Sequence, residues 1–196
     1  MQRLLSIGLA GTALAALAGC GRMHTVTVTR TVTVTRTVTV TRTVTAAAPA
    51  TVAACTGSDL HGTFRAVPGS PGAGGISYLL TLTNTSGSRC FVVGLPGLRL
   101  LDARGRALPT SVSHGRPGPA GKVVVAPGGS ASSQARFSPD IPGPGEPVLG
   151  RQCEPTAYSL RVTPTGGGTL TVAVSPPTPV CEHGSLRLDP WQRGAG

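Results

Sequence analysis

From residue 55 onward, apolar and polar residues alternate over short runs, and turn-forming residues interrupt these runs every 8–15 positions. Period-two alternation places alternate side chains on opposite faces of a strand, as in residues 76–83, where Ile76, Tyr78, Leu80 and Leu82 share one face. No stretch of twelve residues has a helical period. The pattern predicts an all-β fold, an Ig-like antiparallel β-sandwich of about seven to nine short strands. The predicted strands are residues 63–67, 76–83, 90–93, 98–102, 106–108, 122–126, 130–137, 157–163, 169–174 and 185–188.

Other inward faces follow from the same alternation. Residues 130–137 place Ala131, Ser133, Ala135 and Phe137 together, and residues 157–163 place Tyr158, Leu160 and Val162 together. The Pro- and Gly-rich residues 138–150 predict a long loop. Trp191 is the only tryptophan, and two interpretations stay open: it caps the open end of the sandwich or it offers an exposed contact.

Residues 25–45 consist of the hexad TVTVTR repeated three times and followed by TVT. β-Branched residues favour extended backbone, and 21 extended residues reach about 70 Å. The main interpretation is a stiff, solvated spacer, because a lone strand does not satisfy its own backbone. The alternative is addition to another sheet or self-pairing, which the Arg in each hexad opposes.

The N-terminus has the pattern of a bacterial lipoprotein leader. Arg3 precedes a 15-residue apolar stretch at residues 4–18. The pattern closes with Leu17-Ala18-Gly19-Cys20. The apolar stretch is shorter than the roughly 20 residues of a membrane-spanning helix. We therefore expect residues 1–19 to be a signal peptide and the Cys20 sulfur to carry lipid on the outer face of the cell membrane. The expected organisation is the leader, a lipid-anchored tether at residues 20–54, a sandwich domain at 55–190 and a tail at 191–196.

The charge balance suggests an anionic partner. Without the leader, which contains one of the 17 basic residues, 16 basic and seven acidic residues remain. Outside a cell this balance indicates lipid headgroups or anionic wall polymers rather than nucleic acid. The other interpretation is a solvated basic surface that keeps the protein soluble. Two partners are expected. The first is the membrane, through the Cys20 lipid, and the second is an anionic wall polymer or an envelope protein.

Four cysteines remain after Cys20, and an even number in an exported chain predicts two disulfides. Three connectivities are open. Pairing Cys55 with Cys90 and Cys153 with Cys181 is favoured, because each pair brackets one local antiparallel unit. A thiolate metal site is the rival interpretation, which the lack of C-x-x-C spacing disfavours.

Several segments together resemble a known family. They are YLLTLTNTSGSRC at residues 78–90, GLPGLRLLD at 94–102 with Gly105, APGGSA at 126–131, and the late Cys153 and Cys181. In order and spacing they are similar to the actinobacterial exported domains named domain of unknown function 4232, over about residues 55–190. The resemblance implies a secreted or lipid-anchored β-sandwich. It implies no established activity and no catalytic residues.

Motifs for chemistry are sparse. The sequence has no H-E-x-x-H, no G-x-S-x-G and no phosphate-binding loop, so neither a catalytic residue nor a cofactor is predicted and an enzyme is disfavoured. The leading hypothesis is a non-catalytic binding or structural module of the cell envelope. The alternative is a copper or zinc chaperone or sensor that uses Met23, His24, His61 and His183, although no metal-site motif supports it. An enzyme acting on wall glycan or peptide is the third hypothesis.

Overall fold

The computed structural model describes residues 25–34, 36–45, 51–115, 121–147 and 152–194. The chain divides into two compact units, residues 1–51 and 52–196. The leader, Cys20, Met23 and His24 lie outside the described residues. Within the described ranges, no helix has both the length and the apolar character needed to cross a membrane.

The repeat forms an antiparallel hairpin in the first unit. Strand β1 (Thr25–Val34) pairs with β2 (Arg36–Thr45), and the register places Thr25 opposite Thr45 and Val26 opposite Val44. The extended conformation is as the sequence predicts, and the repeat pairs with itself, which was the alternative interpretation. Its role as a spacer stays a prediction. Pairing satisfies part of the backbone that a lone strand leaves open. It also reduces the reach to about 33 Å, the length of ten extended residues.

The second unit is almost entirely β-structure. A 3₁₀ turn (Gly57–Asp59) precedes the fourth strand, and a single turn (Cys181–Gly184) lies late in the chain. The strands are β3 (Ala53–Ala54), β4 (Leu60–Ala66), β5 (Ile76–Asn84), β6 (Cys90–Val92), β7 (Gly97–Leu101), β8 (Ser111–His114), β9 (Val123–Val125), β10 (Ser130–Phe137), β11 (Ala157–Thr163), β12 (Leu170–Thr178), β13 (Ser185–Leu188) and β14 (Gln192–Arg193).

These strands make a sandwich. One sheet has the order β7-β11-β12-β4-β5-β10-β13-β8, with β14 beside β10, and a small sheet has the order β3-β6-β9. Leu100, Leu160 and Val172 from the β7-β11-β12 part lie in the same buried cluster as Leu80 and Leu188 from the β5-β10-β13 part. The long sheet therefore bends at β4 into two layers over one core, which confirms the predicted fold class.

Tyr78 lies at the centre of this core. Its ring centroid is 5.0 Å from that of Phe64 and 5.2 Å from that of Phe137. Burial raises the pKa of the Tyr78 phenol above its ordinary value, and its hydroxyl donates to the carbonyl oxygen of Pro176 at 2.8 Å. This hydrogen bond ties the two layers together, because Pro176 belongs to β12 and Tyr78 to β5.

Three expectations about the strands need correction. The sheets are not purely antiparallel, because β12 runs parallel to β4, β13 to β8 and β3 to β6. Residues 106–108 form no strand and contribute only an isolated bridge from Ala107 to Leu101. The sequence pattern also missed β3, β8 and β14, all of which are four residues or shorter.

Tyr158 faces outward instead of inward. It is 48% exposed, whereas Ala157 and Leu160 are buried. The register between β11 and β12 shifts between Ala157 and Ser159. The period-two alternation is interrupted at this irregularity, so the face predicted from Leu160 and Val162 does not extend to Tyr158.

Residues 191–194, expected to form part of a tail, pack against the domain. Trp191 is buried in the core cluster, so its interpretation as an exposed contact is wrong. Strand β14 follows it and pairs with β10, opposite Ala131 and Ser132. These contacts fix the chain as far as residue 193.

Candidate functional site

Two disulfides crosslink the domain. Cys55 is bonded to Cys90 across a sequence separation of 35, and Cys153 to Cys181 across 28. This is the pairing that the sequence favours among the three possible connectivities. Because all four sulfurs are in disulfides, none is a thiolate ligand or nucleophile.

A neutral polar side chain organises the region beside Cys55–Cys90. Asn84 is fully buried at the end of β5. Its amide nitrogen donates to the carbonyl oxygens of Ser88 at 2.7 Å and Val125 at 3.1 Å. Its amide oxygen accepts from the backbone N–H of Ser86 at 2.9 Å and from the Ser86 hydroxyl at 2.7 Å. Three of these bonds hold the turn that leads to Cys90, and the bond to Val125 ties the turn to β9.

A buried carboxylate has the corresponding place beside Cys153–Cys181. In the 181–184 turn, Glu182, His183 and Gly184 have φ angles of 57°, 57° and 75°. This left-handed backbone is costly for residues other than glycine. Glu146 Oε2 accepts from the backbone N–H of Gly143 at 2.6 Å and of Glu182 at 2.9 Å, and Oε1 accepts from the backbone N–H of His183. Three backbone donors and one carboxylate thus stabilise the turn as an anion-holding nest.

Two further ionisable groups, His183 and Glu154, meet Glu146 at this turn. His183 Nδ1 lies 3.6 Å from Oε1 of Glu146 and 3.8 Å from Oε1 of Glu154. The other ring nitrogen, Nε2, is 2.9 Å from the carbonyl oxygen of Pro144. Glu154 directly follows Cys153, and His183 comes two residues after Cys181. The disulfide therefore fixes both chain segments that supply these side chains.

The two carboxyl groups titrate in opposite directions. Burial alone raises the pKa of Glu146, but the N–H groups of His183, Gly143 and Glu182 outweigh it, and the pKa lies below its ordinary value. Burial raises the pKa of Glu154, and the neighbouring Glu146 charge raises it further. Glu146 is thus held as a carboxylate, whereas Glu154 gains a proton more readily.

Arginine pairs lie on the outward faces of both layers. Arg136 on β10 is directly opposite Arg187 on β13, and Arg99 on β7 is directly opposite Arg161 on β11. All four are exposed. Like charges directly opposite each other on neighbouring strands are destabilising, so these positions concentrate positive charge without benefit to the fold.

One pair borders a cleft of about 280 Å³. Its walls include Gly75, Phe137, Glu182 and the arginines Arg136 and Arg187. A Cβ on Gly75 would lie 3.2 Å from the Arg136 guanidinium, which therefore packs closely over this glycine. Arg187 Nη2 is 3.8 Å from a Glu182 carboxylate oxygen, a loose and partly exposed contact.

Several acids have partners close in sequence and do not neutralise these arginines. Asp59 accepts from the hydroxyl and the backbone N–H of Thr56, which lower its pKa in that order of size. Asp102 accepts from the backbone and the side chain of Arg106 and from the backbone of Arg104; the backbone bond from Arg106 is the largest effect lowering its pKa. Outward-facing positive charge therefore remains on the sheets.

Only His61 and His183 of the ligand set expected for a metal chaperone lie among the described residues, because Met23 and His24 fall outside them. His61 lies exposed on β4 and His114 exposed on β8, and neither joins His183 in a group of candidate ligands among the described residues. His183 instead meets Glu146 and Glu154, which the sequence did not single out. The only sequence signal was their position: Glu154 follows one cysteine, Glu182-His183 follows the other, and Glu146 lies in the loop before them.

Comparison with family models places the domain. Residues 55–192 match the model described as Domain of unknown function (DUF4232). The chain belongs to this family. The DUF4232 match covers both disulfides, both arginine pairs and the turn at 181–184. Searches of curated proteins and of solved structures gave no match.

Proposed function

We propose that this DUF4232 protein is a lipid-anchored, extracytoplasmic binding module that holds an anionic polymer of the cell envelope and does not catalyse a reaction. The anchor is the lipid expected on Cys20. Two disulfides are consistent with this location, because such bonds persist in oxidising compartments. The observation that supports the binding role is the pair Arg136–Arg187 beside its cleft.

The physical argument begins with the cost of that pair. Two guanidinium groups in neighbouring strand positions repel each other. Within the described ranges, the carboxylate contact of this pair is the loose one from Arg187 to Glu182 at 3.8 Å. An anion placed between them turns this repulsion into two charge-assisted hydrogen bonds. Arginine is suited to phosphate and carboxylate because its planar group presents paired donors.

Arg99 and Arg161 extend the same chemistry to the second layer. A polymer carries many charges, so several weak contacts on one rigid module add through effective concentration. Each basic residue near an anionic surface contributes about 1 kcal/mol. Binding should therefore weaken strongly with salt, because the Debye length falls from about 10 Å at 0.1 M to 3 Å at 1 M.

The test measures binding to purified cell wall and to soluble polyphosphate at low and high salt. The double variant Arg136→Gln/Arg187→Gln should bind about 30-fold more weakly, the equivalent of two contacts of about 1 kcal/mol each. The control Arg89→Gln/Arg104→Gln removes the same charge from two exposed arginines outside the pairs and should change binding less than about twofold. Equal losses in both variants would reduce the interaction to net charge alone.

The anchor has its own test. Radiolabelled palmitate should be incorporated into the wild-type chain and not into Cys20→Ala, and the variant should leave the membrane fraction. Unlabelled wild-type protein would remove the anchor from the proposal while leaving the polymer measurements interpretable.

A further inference from the structure

The group formed by Glu146, Glu154 and His183, referred to here as the EEH cluster, brings three electron-pair donors to one point. One ligand-type atom from each residue lies within 4.8 Å of the other two. Nδ1 of His183 is 3.6 Å from Glu146 Oε1 and 3.8 Å from Glu154 Oε1. This convergence lies outside the arginine faces and has no part in binding an anion.

The hydrogen bonds of the cluster decide which atoms remain available. His183 Nε2 is 2.9 Å from the carbonyl oxygen of Pro144, which only accepts, so Nε2 carries the proton. In the neutral ring, Nδ1 then presents a lone pair toward the two carboxylates. Three acceptor atoms facing each other repel unless a proton or a metal cation lies between them.

The spacing suits a small metal ion. Ligand atoms at 2.0–2.1 Å from a tetrahedral zinc ion are about 3.3–3.4 Å apart. The observed 3.6 Å and 3.8 Å separations need to close by only a few tenths of an ångström. We propose that the EEH cluster is a divalent transition-metal site that takes Zn²⁺ through His183 Nδ1, Glu146 Oε1 and Glu154 Oε1, with water completing the coordination.

The surrounding structure pre-positions the ligands. Glu146 has a side chain that is 3% exposed, and its three backbone donors fix its orientation. The Pro144 carbonyl fixes the His183 ring, as hydrogen bonds to the second nitrogen do in known metal sites. His183 is 58% exposed on its side chain, which gives an ion a direct route from solvent.

The donor set selects among metals. One imidazole and two carboxylates match the mixed nitrogen and oxygen ligands of zinc sites that retain a water position. Soft thiolate ligands are absent from this set, because Cys153 and Cys181 are bonded to each other. Cu(I), which prefers such ligands, should bind poorly.

The test titrates zinc into the full-length chain, purified in detergent and freed of metal with a chelator, by isothermal calorimetry. Cobalt serves as a spectroscopic probe, because a tetrahedral site gives intense visible absorption that calorimetry does not report. Wild-type protein should bind one zinc with a dissociation constant of about 10 μM or tighter. His183→Asn and Glu154→Gln should each weaken binding at least about tenfold and abolish the cobalt spectrum.

The variants are chosen to keep the turn intact. Asparagine tolerates the left-handed backbone at residue 183, and Glu154→Gln leaves every hydrogen bond of Glu146 to the turn in place. The matched control His24→Asn/His61→Asn removes two other histidines and should leave zinc affinity within twofold. Wild-type binding weaker than about 1 mM, or an equal loss in the control, would overturn the site.

Discussion

The two disulfides stabilise regions that differ in electrostatic character, because one is organised by a neutral side chain and the other by a charged one. Beside Cys55–Cys90, the buried organiser is the neutral Asn84, which donates twice and accepts twice. Beside Cys153–Cys181, the organiser is the carboxylate Glu146, which only accepts and which attracts His183. Both arrangements satisfy their hydrogen bonds, but only the second leaves ionisable groups facing each other. One disulfide therefore stabilises the fold alone, whereas the other also brings ionisable side chains together.

Removal of either disulfide should give the largest effect. Cys55→Ala/Cys90→Ala and Cys153→Ala/Cys181→Ala should each lower the free energy of unfolding by about 3.5–4 kcal/mol, because the sequence separations of 35 and 28 are similar. Urea unfolding measures both. Zinc titration then separates them: only loss of Cys153–Cys181 should abolish metal binding, and equal loss from both variants would show that the cluster depends on global stability.

Asn84→Asp should have the next largest effect. The carboxylate cannot donate to Ser88 and Val125, and it would face both carbonyl oxygens while fully buried. An uncompensated buried charge costs about 3–5 kcal/mol, so urea unfolding at pH 7 should show a loss of that order. Asn84→Ala is the control, with a smaller loss of about 1–3 kcal/mol from unsatisfied partners. Similar losses in the two variants would indicate that charge is unimportant in this region.

Glu146→Gln should lower the free energy of unfolding by about 2 kcal/mol at pH 7, the scale of hydrogen bonds to a charged group. The folded-state pKa of Glu146 is lowered, so its contribution is present above its unfolded pKa and is lost as the pH falls through the folded value. Wild type should therefore lose stability in acid more steeply than Glu146→Gln. Urea unfolding from pH 3 to 7 in chelator measures both slopes, and parallel slopes would contradict the assignment.

Glu154→Gln should give a smaller effect of opposite sign. The folded-state pKa of Glu154 is raised by burial and by Glu146. The contribution of Glu154 to the free energy of unfolding is fully present below the pKa that it has in the unfolded chain. This contribution is lost as the pH rises through the pKa that Glu154 has in the folded protein. The variant should therefore gain stability over wild type between pH 4 and 7 in the same metal-free series. A loss over this interval would mean that the His183 contact outweighs burial.

The smallest effect should come from the exposed arginines. Arg136→Gln should change the free energy of unfolding by less than about 0.5 kcal/mol, with a slight gain because Arg187 lies directly opposite. Arg89→Gln, an exposed arginine without this cross-strand partner, is the control and should show no gain. Chemical unfolding at low salt resolves the difference best, because screening weakens it.

The β-core was predictable because its alternation is regular. Ile76–Asn84, Ser130–Phe137 and Ser185–Leu188 follow the two-residue period almost to the residue. Tyr158 was placed on the wrong face because a register irregularity interrupts the period, and such an irregularity depends on the partner strand rather than on local sequence. The parallel pairing of β8 with β13 joins residues more than 70 positions apart, a distance at which local patterns carry no information.

The EEH cluster was less predictable than the fold. The sequence shows Glu154 beside one cysteine and His183 near another, but their meeting requires the disulfide to be formed. Glu146 contributes through a loop of prolines and glycines with no period at all. The left-handed backbone of Glu182 and His183 could not be predicted from local sequence either, since the carboxylate of Glu146 stabilises it from another loop.

The hairpin of hexads carries a degeneracy of its own. Its ladder pairs threonine with threonine at every odd position. Since the copies are identical, sliding one strand by six residues restores the same kinds of neighbours and sacrifices only those at the ends. Nothing in the composition selects a single alignment, so registers that differ by six residues have equivalent cross-strand pairs. A pulling force on the segment should therefore lengthen it in discrete steps.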